Sequence, residues 1–172
     1  MKRLISVFAF ILVATAINAQ TARDIKVEIG AGYSPFYFTY VDDGYNKQFD
    51  VAAYAEGRYY LTDHFAVGAK VDFKTGPSVT KNDGYLPYLD VLALAEYNLL
   101  PSKAVNPFIS LGAGPAVGFK PYNTPVLLSI SPRVGLELFR HLRLSATATF
   151  PTNFVGVDST YFDACFCVGF VF

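Results

Sequence analysis

The stretch Tyr161-Phe162-Asp163-Ala164-Cys165-Phe166-Cys167-Val168-Gly169-Phe170-Val171-Phe172 decides the fold. Side chains of a strand alternate between two faces. One face here carries Phe162, Ala164, Phe166, Val168, Phe170 and Phe172, the other Asp163, Cys165, Cys167, Gly169 and Val171. An aromatic stripe opposite a small, partly ionisable face predicts a strand whose oily side meets lipid and whose other side faces an interior. That is the pattern of a transmembrane β-barrel.

Working outward from this strand, about eight stretches of the same character are separated by turn signals. They run from Ile25 to Tyr40, Phe49 to Tyr60, Phe65 to Phe73, Tyr88 to Leu99, Phe108 to Phe119, Val126 to Phe139, Leu142 to Phe150 and Tyr161 to Phe172. Short connections at Leu61 to His64, Leu100 to Pro107 and Arg140-His141 alternate with Val41 to Gln48, Lys74 to Pro87, Lys120 to Pro125 and Pro151 to Thr160. Short turns on one side and longer loops on the other predict an all-β, antiparallel up-and-down barrel of about eight strands. Both chain ends would then lie in the periplasm and the longer loops outside the cell.

The two phases differ in chemistry. Lys26, Glu28, Glu56, Arg58, Lys70, Asp72, Asp90, Glu96, Arg133, Glu137, Arg143 and Asp163 occupy the inward phase, with Gly30, Gly32, Gly68, Gly112, Gly114, Gly135 and Gly169. The outward phase holds Val27, Ile29, Val51, Ala53, Tyr59, Phe65, Val67, Val71, Leu89, Val91, Tyr97, Leu111, Val117, Ile130, Val134, Leu136, Leu142, Leu144 and Phe150. Tyr37, Phe38, Tyr40, Tyr59, Tyr60, Phe73, Tyr85 and Tyr88 fall near strand ends, where interface girdles sit. A soluble barrel with the oily phase lining a cavity is the competing architecture. The strand-end aromatics and the small or charged inner phase speak against it.

The start of the chain fits the same picture. Lys2 and Arg3 precede an apolar run from Leu4 to Ile17 and the Asn18-Ala19-Gln20 junction, the order of a secretory signal. The expected division is a signal peptide over 1–19 and a barrel domain over 20–172. Cleavage after Ala16 is the alternative. The run is shorter than the roughly 20 residues of a spanning helix.

Composition excludes some classes of function. The 172-residue chain is 52% hydrophobic and 16% charged, with formal net charge zero and no tryptophan. No basic surface for nucleic acid is indicated, and such a chain is not disordered. Neither a cofactor motif nor a metal-ligand set is found. His64 and His141 fall in turns with no Ser or carboxylate placed to complete a triad, and Gly112-Ala113-Gly114 lacks the Lys that follows a phosphate loop. Cys165 and Cys167 sit two apart on one strand, roughly 6.6 Å by strand rise. That spacing suits a disulfide poorly, so the pair reads as two small inward thiols.

The chain resembles the small eight-stranded outer-membrane barrels of Gram-negative bacteria, of the OmpA-transmembrane-domain and OmpX kind. The resemblance rests on the signal sequence, the Asn18-Ala19-Gln20 junction of a Bacteroidota type, Tyr59-Tyr60-Leu61-Thr62-Asp63, Asn106-Pro107-Phe108-Ile109-Ser110-Leu111-Gly112-Ala113-Gly114 and the terminal Phe172. It implies insertion into outer-membrane lipid by the outer-membrane assembly machinery, with Phe170 and Phe172 in the recognised strand. It implies no substrate, because the family shares architecture more than activity.

The interior of an eight-stranded barrel is just wide enough for side chains to fill it. The inward charges are therefore expected to pair into a network and not to line a porin-like channel. A structural or interaction role, with an extracellular ligand met through the loops, is the leading expectation, and the protein is not expected to be an enzyme. Pro115 and Pro132 lie inside the fifth and sixth strand patterns, where proline cannot donate to a ladder. They predict either bulges or a lateral seam passing a small hydrophobic molecule. A lipid-modifying enzyme is a weaker alternative.

Overall fold

A computed structural model describes residues 25–41, 44–77, 85–101, 103–119, 126–152 and 161–172, with the backbone alone described at 36–41, 44–50, 76–77, 85–86, 151–152 and 161–162. The proposed signal peptide lies outside the described residues. The strands are β1 (Ile25–Val41), β2 (Gly44–Tyr60), β3 (Phe65–Pro77), β4 (Tyr85–Asn98), β5 (Val105–Gly118), β6 (Val126–Leu138), β7 (Leu142–Thr152) and β8 (Tyr161–Val171). Each pairs antiparallel with its chain neighbour, and β8 returns to β1, closing the barrel.

The alternation of the sequence becomes the polarity of the wall. Ile29, Leu111, Val134, Phe166 and Val168 are exposed, while Glu28, Arg58, Asp90, Arg143 and Asp163 are buried. Val27 departs from its expected place against lipid. It is only 8% exposed at the closure, where its backbone exchanges both hydrogen bonds with Phe172.

The strands are longer than their alternating cores at the end away from the termini. β2 starts at Gly44 and β3 runs to Pro77, so much of the expected 41–48 and 74–87 loops is sheet. Lys74, expected at a loop start, is 1% exposed inside the barrel. Tyr60 and Tyr88, expected in the girdles, occupy the inward phase: Tyr88 is buried, and the Tyr60 hydroxyl is shielded from solvent. Both rings lie over lumen ammonium groups, Lys74 beside Tyr88 and Lys26 beside Tyr60. Tyr59 and Phe73 are exposed, whereas the side chains of Tyr37, Phe38, Tyr40 and Tyr85 lie outside the described residues.

Prolines shape the wall differently from the expectation. The β5 to β6 ladder between Pro115 and Pro132 is unbroken from Val105–Leu138 to Val117–Val126. The interruptions fall on the outer sides of that hairpin. Pairs lapse where Pro115 faces Val91 on β4 and where Pro132 faces Ala148 on β7, with no change of register at either. Neither is a bulge. The register shift is instead in β1, between Ser34 and Tyr37 toward β2 and between Tyr33 and Phe36 toward β8. Pro35 lies in that span, and an extra residue in one strand sharpens local twist.

The turns at the terminal end are tight. Phe139 and Arg140 have positive φ, 52° and 67°, and the His141 N–H reaches the Leu138 carbonyl at 3.1 Å. Leu138 pairs with Leu142 across a three-residue connection, and its two left-handed residues give a turn whose sense matches the right-handed twist of the strands. Here they are a Phe and an Arg in place of the usual Asn-Gly.

Candidate functional site: the filled lumen

The inward residues build two charged layers separated by a mostly uncharged one. Nearest the termini, Arg58, Arg133 and Arg143 meet Glu28, Glu56, Glu96 and Glu137, contributed by β1, β2, β4, β6 and β7. Arg58 lies 3.1 Å from Glu28, 3.2 Å from Glu56 and 3.1 Å from Glu96. Arg143 lies 2.9 Å from Glu28 and 2.8 Å from Glu96, and Arg133 lies 2.8 Å from Glu56. Lys26 closes the set on Glu137 at 2.7 Å. Four cations thus face four carboxylates, so the layer is formally neutral and each guanidinium bridges strands distant in sequence. A buried ion left without its partner would cost several kcal/mol, on the order of 3–5.

The farther layer holds Lys70 with Asp72 at 2.8 Å and Lys74 with Asp163 at 2.9 Å, Thr149 at 2.8 Å and Asp90 at 3.7 Å. Between the layers lie Tyr54, Ala52, Cys165 and Cys167, a cluster of buried residues, together with the buried Leu92 and Leu94. Tyr54 ties this middle to the first layer by donating its hydroxyl to Glu28 at 2.6 Å. The two thiols are free, buried and 3.5 Å apart.

Glycines on the inner phase make room for these side chains. A Cβ on Gly30 would collide with the Tyr54 ring, one on Gly32 with both cysteine sulfurs, and one on Gly135 with the Phe108 ring. Beside the first layer lies a void of about 10 Å³, lined by Glu56, Lys70, Leu92, Ser110, Arg133 and Thr147. That is about the space of one water-sized sphere.

All twelve charged residues read from the inward phase reach the lumen, and eleven are buried. Lys26, at the terminal rim, is partly exposed. The sequence reading left out Lys74, Phe108, Asn98 and Asn106. Phase alone points Phe108 inward with Ser110 and Gly112, but an aromatic residue near a strand end invites the girdle reading. The asparagines join the first layer to the rim: Asn98 donates to Glu96 at 3.1 Å, and Asn106 donates to Asn98 at 2.7 Å. Pro115 and Pro132 are both exposed wall residues, on opposite flanks of the wall segment around β5 and β6. Phe170 and Phe172 are exposed at the closure, ring centroids 5.1 Å apart.

The two turn histidines act alike on opposite sides of the rim. His64 donates from Nδ1 to the Asn98 carbonyl at 2.7 Å, accepts the Asn98 N–H on its own carbonyl and stacks on Tyr97. His141 donates from Nδ1 to the Val171 carbonyl at 3.2 Å, accepts the Val171 N–H and stacks on Phe170. Each clamps a turn onto the end of the next strand but one.

No protein-family model matches the chain, and no curated protein matches it in sequence. Solved structures do match in shape. The attachment invasion locus protein Ail of Yersinia pestis superposes with a TM-score of 0.52 at 17% identity, over 87% of this chain and 99% of that one. The N-terminal β-barrel domain of Pseudomonas aeruginosa OprF gives 0.51 at 13%, over 87% and 97%. The outer membrane enzyme PagL gives 0.60 at 11%, over 83% and 97%. At these identities the likeness is one of fold, and the fold is that of the small, closed, eight-stranded outer-membrane barrels.

Proposed function

We propose that the protein is a non-enzymatic barrel of the bacterial outer membrane with a structural or interaction role. Both termini face the periplasm, and the connections within 41–48, 74–87 and 151–160 face outward, where an extracellular ligand would be met. The outer-membrane assembly machinery would insert it, reading the strand that ends in Phe170 and Phe172. The observation that carries this reading is the inverted polarity of the wall: apolar residues outside, and inside, among the described residues, a neutralised ionic layer bordered by a void of only about 10 Å³. A lumen so filled supports a plugged scaffold better than a conductor, which leaves function to the loops and the wall.

The test is reconstitution. Protein refolded into phospholipid vesicles should migrate as a heat-modifiable species, and in a planar bilayer it should carry no steady current. A monomer that stays soluble without detergent would overturn the membrane assignment. Large, stable currents proportional to salt would overturn the plugged lumen.

A further inference from the structure

Resting on the membrane reading above, we propose that the terminal end of the wall holds a specific site for an anionic phospholipid of the adjoining leaflet. Its acyl chain would lie in a groove on the outer wall and its phosphate at Lys103 and Arg140. The groove has a volume of about 640 Å³, is open and almost wholly apolar, and crosses β5 to β8. Its floor is recessed because Ala146 brings little bulk to the outer face, and Ile109, Leu136, Leu144 and Val168 wall it.

The polar end is set by the two turns just beyond it. The groove begins at Leu99, Pro107 and Leu136, and the β5 to β6 ladder ends two residues farther on at Val105–Leu138. There the Phe139 N–H donates to the Ala104 carbonyl at 2.7 Å, which joins the two turns and sets Lys103 and Arg140 on one stretch of rim. Both are exposed, and neither makes an ion pair among the described residues. The sequences 99–105 and 138–142 contain no Asp or Glu. His141, the remaining titratable group of these turns, is already engaged with Val171.

Phe139 strengthens the case. It is 72% exposed in a left-handed backbone conformation, an arrangement that is costly for a bulky side chain and places an aromatic at the water boundary. Two cations with no ion pair among the described residues, an aromatic and an acyl-sized trough in sequence along the wall match the order of parts in a phospholipid: phosphate, interface, chain. Attraction to an anionic headgroup gives each cation roughly a five-fold preference over a zwitterionic lipid.

The protein lacks tryptophan, so Val105→Trp, at an exposed position beside the groove, supplies a single reporter. In mixed vesicles, brominated-chain phosphatidylglycerol should quench its fluorescence at several-fold lower mole fraction than brominated-chain phosphatidylcholine. Adding Lys103→Ala and Arg140→Ala should abolish the difference. Ala146→Leu, which fills the groove and leaves the cations, should weaken quenching by phosphatidylglycerol while sparing the heat-modifiable fold. Equal quenching by both lipids, or a preference surviving the double alanine variant, would overturn the site. Failure of the parent protein to enter vesicles at all, read as loss of heat-modifiability, would instead count against the membrane reading.

Discussion

The guanidinium carbon of Arg143 lies 3.4 Å from the centre of the Phe108 ring, while its nitrogens hold Glu28 and Glu96. One side chain is thus shared between an aromatic face and two carboxylates at the centre of the ionic layer. Away from water a cation over an aromatic ring is worth about 2 kcal/mol or more.

Phe108→Leu is expected to remove that contact and some packing, lowering stability by roughly 2–3 kcal/mol. Arg143→Ala should cost more, about 3–5 kcal/mol, since it leaves the buried layer of four carboxylates one cation short. Urea titration of the heat-modifiable band measures both. The double variant should fall short of the sum, because the pair is in contact. Strict additivity would show that the two do not act together.

Two glycines paired with neighbouring rungs of β2 and β3 should respond oppositely. A Cβ on Gly68 would collide with the Gly57 carbonyl oxygen, while one on Gly57 would meet nothing within 4 Å. Gly68→Ala is expected to destabilise by about 1–3 kcal/mol, since backbone must yield. Gly57→Ala should be neutral or stabilise by up to about 1 kcal/mol through lower unfolded-state entropy. Equal effects would refute the close approach of the strands at Gly68.

Much of this architecture was legible in the residues, and the failures share a cause. Alternation placed Asp163, Cys165 and Cys167 inside because each sits between outward apolar neighbours. Residue type misled at Tyr60, Tyr88 and Lys74, which suit the membrane interface or a loop, although their parity matches Arg58, Asp90 and Asp72. Parity, and not residue type, decides direction in a closed sheet. The proline reading failed for a related reason. Which neighbour a strand residue offers its N–H to is set by register, and register appears only once the strands are paired. So Pro115 weakens the β4 side and Pro132 the β7 side.

Amide exchange in the folded barrel should follow that pattern. The β5 to β6 hairpin is expected to be as protected as β2 to β3, with weak points confined to the lapses near Val91 and Ala148. Pro115→Val and Pro132→Val, each restoring a donor, should raise protection on β4 and β7 respectively. Rapid exchange along β5 to β6, together with hydrophobic-probe uptake lost in the double variant, would instead favour a lateral opening between the prolines.

The two thiols provide a probe of lumen access. Cys165 and Cys167 are each 4% exposed and are packed against the space that Gly32 leaves. A charged maleimide should leave both unmodified in the folded barrel and label both after unfolding in urea with reductant present. Labelling of either thiol in the folded state at the unfolded rate would contradict a filled lumen.

The closure ends on Phe172, and its backbone and ring contributions can be separated. Its N–H donates to the Val27 carbonyl at 2.9 Å and its own carbonyl accepts the Val27 N–H at 3.4 Å, extending the β1 to β8 ladder by one rung. Its ring meets Phe170 edge-on at 5.1 Å, and Phe170 in turn stacks on His141. Phe172→Ala keeps the rung and removes the ring, losing about 0.5–1.5 kcal/mol of aromatic pairing beyond the buried area. Deleting Phe172 removes both. Phe172→Asp keeps the rung but sets a charge where the wall is apolar. If the aromatic stripe guides assembly, the amount of heat-modifiable barrel recovered from outer membranes should fall for all three variants, with Asp and the deletion below Ala. If the rung alone matters, Ala and Asp should both match the parent and only the deletion should fail. Equal recovery of all three would remove Phe172 from the assembly process altogether.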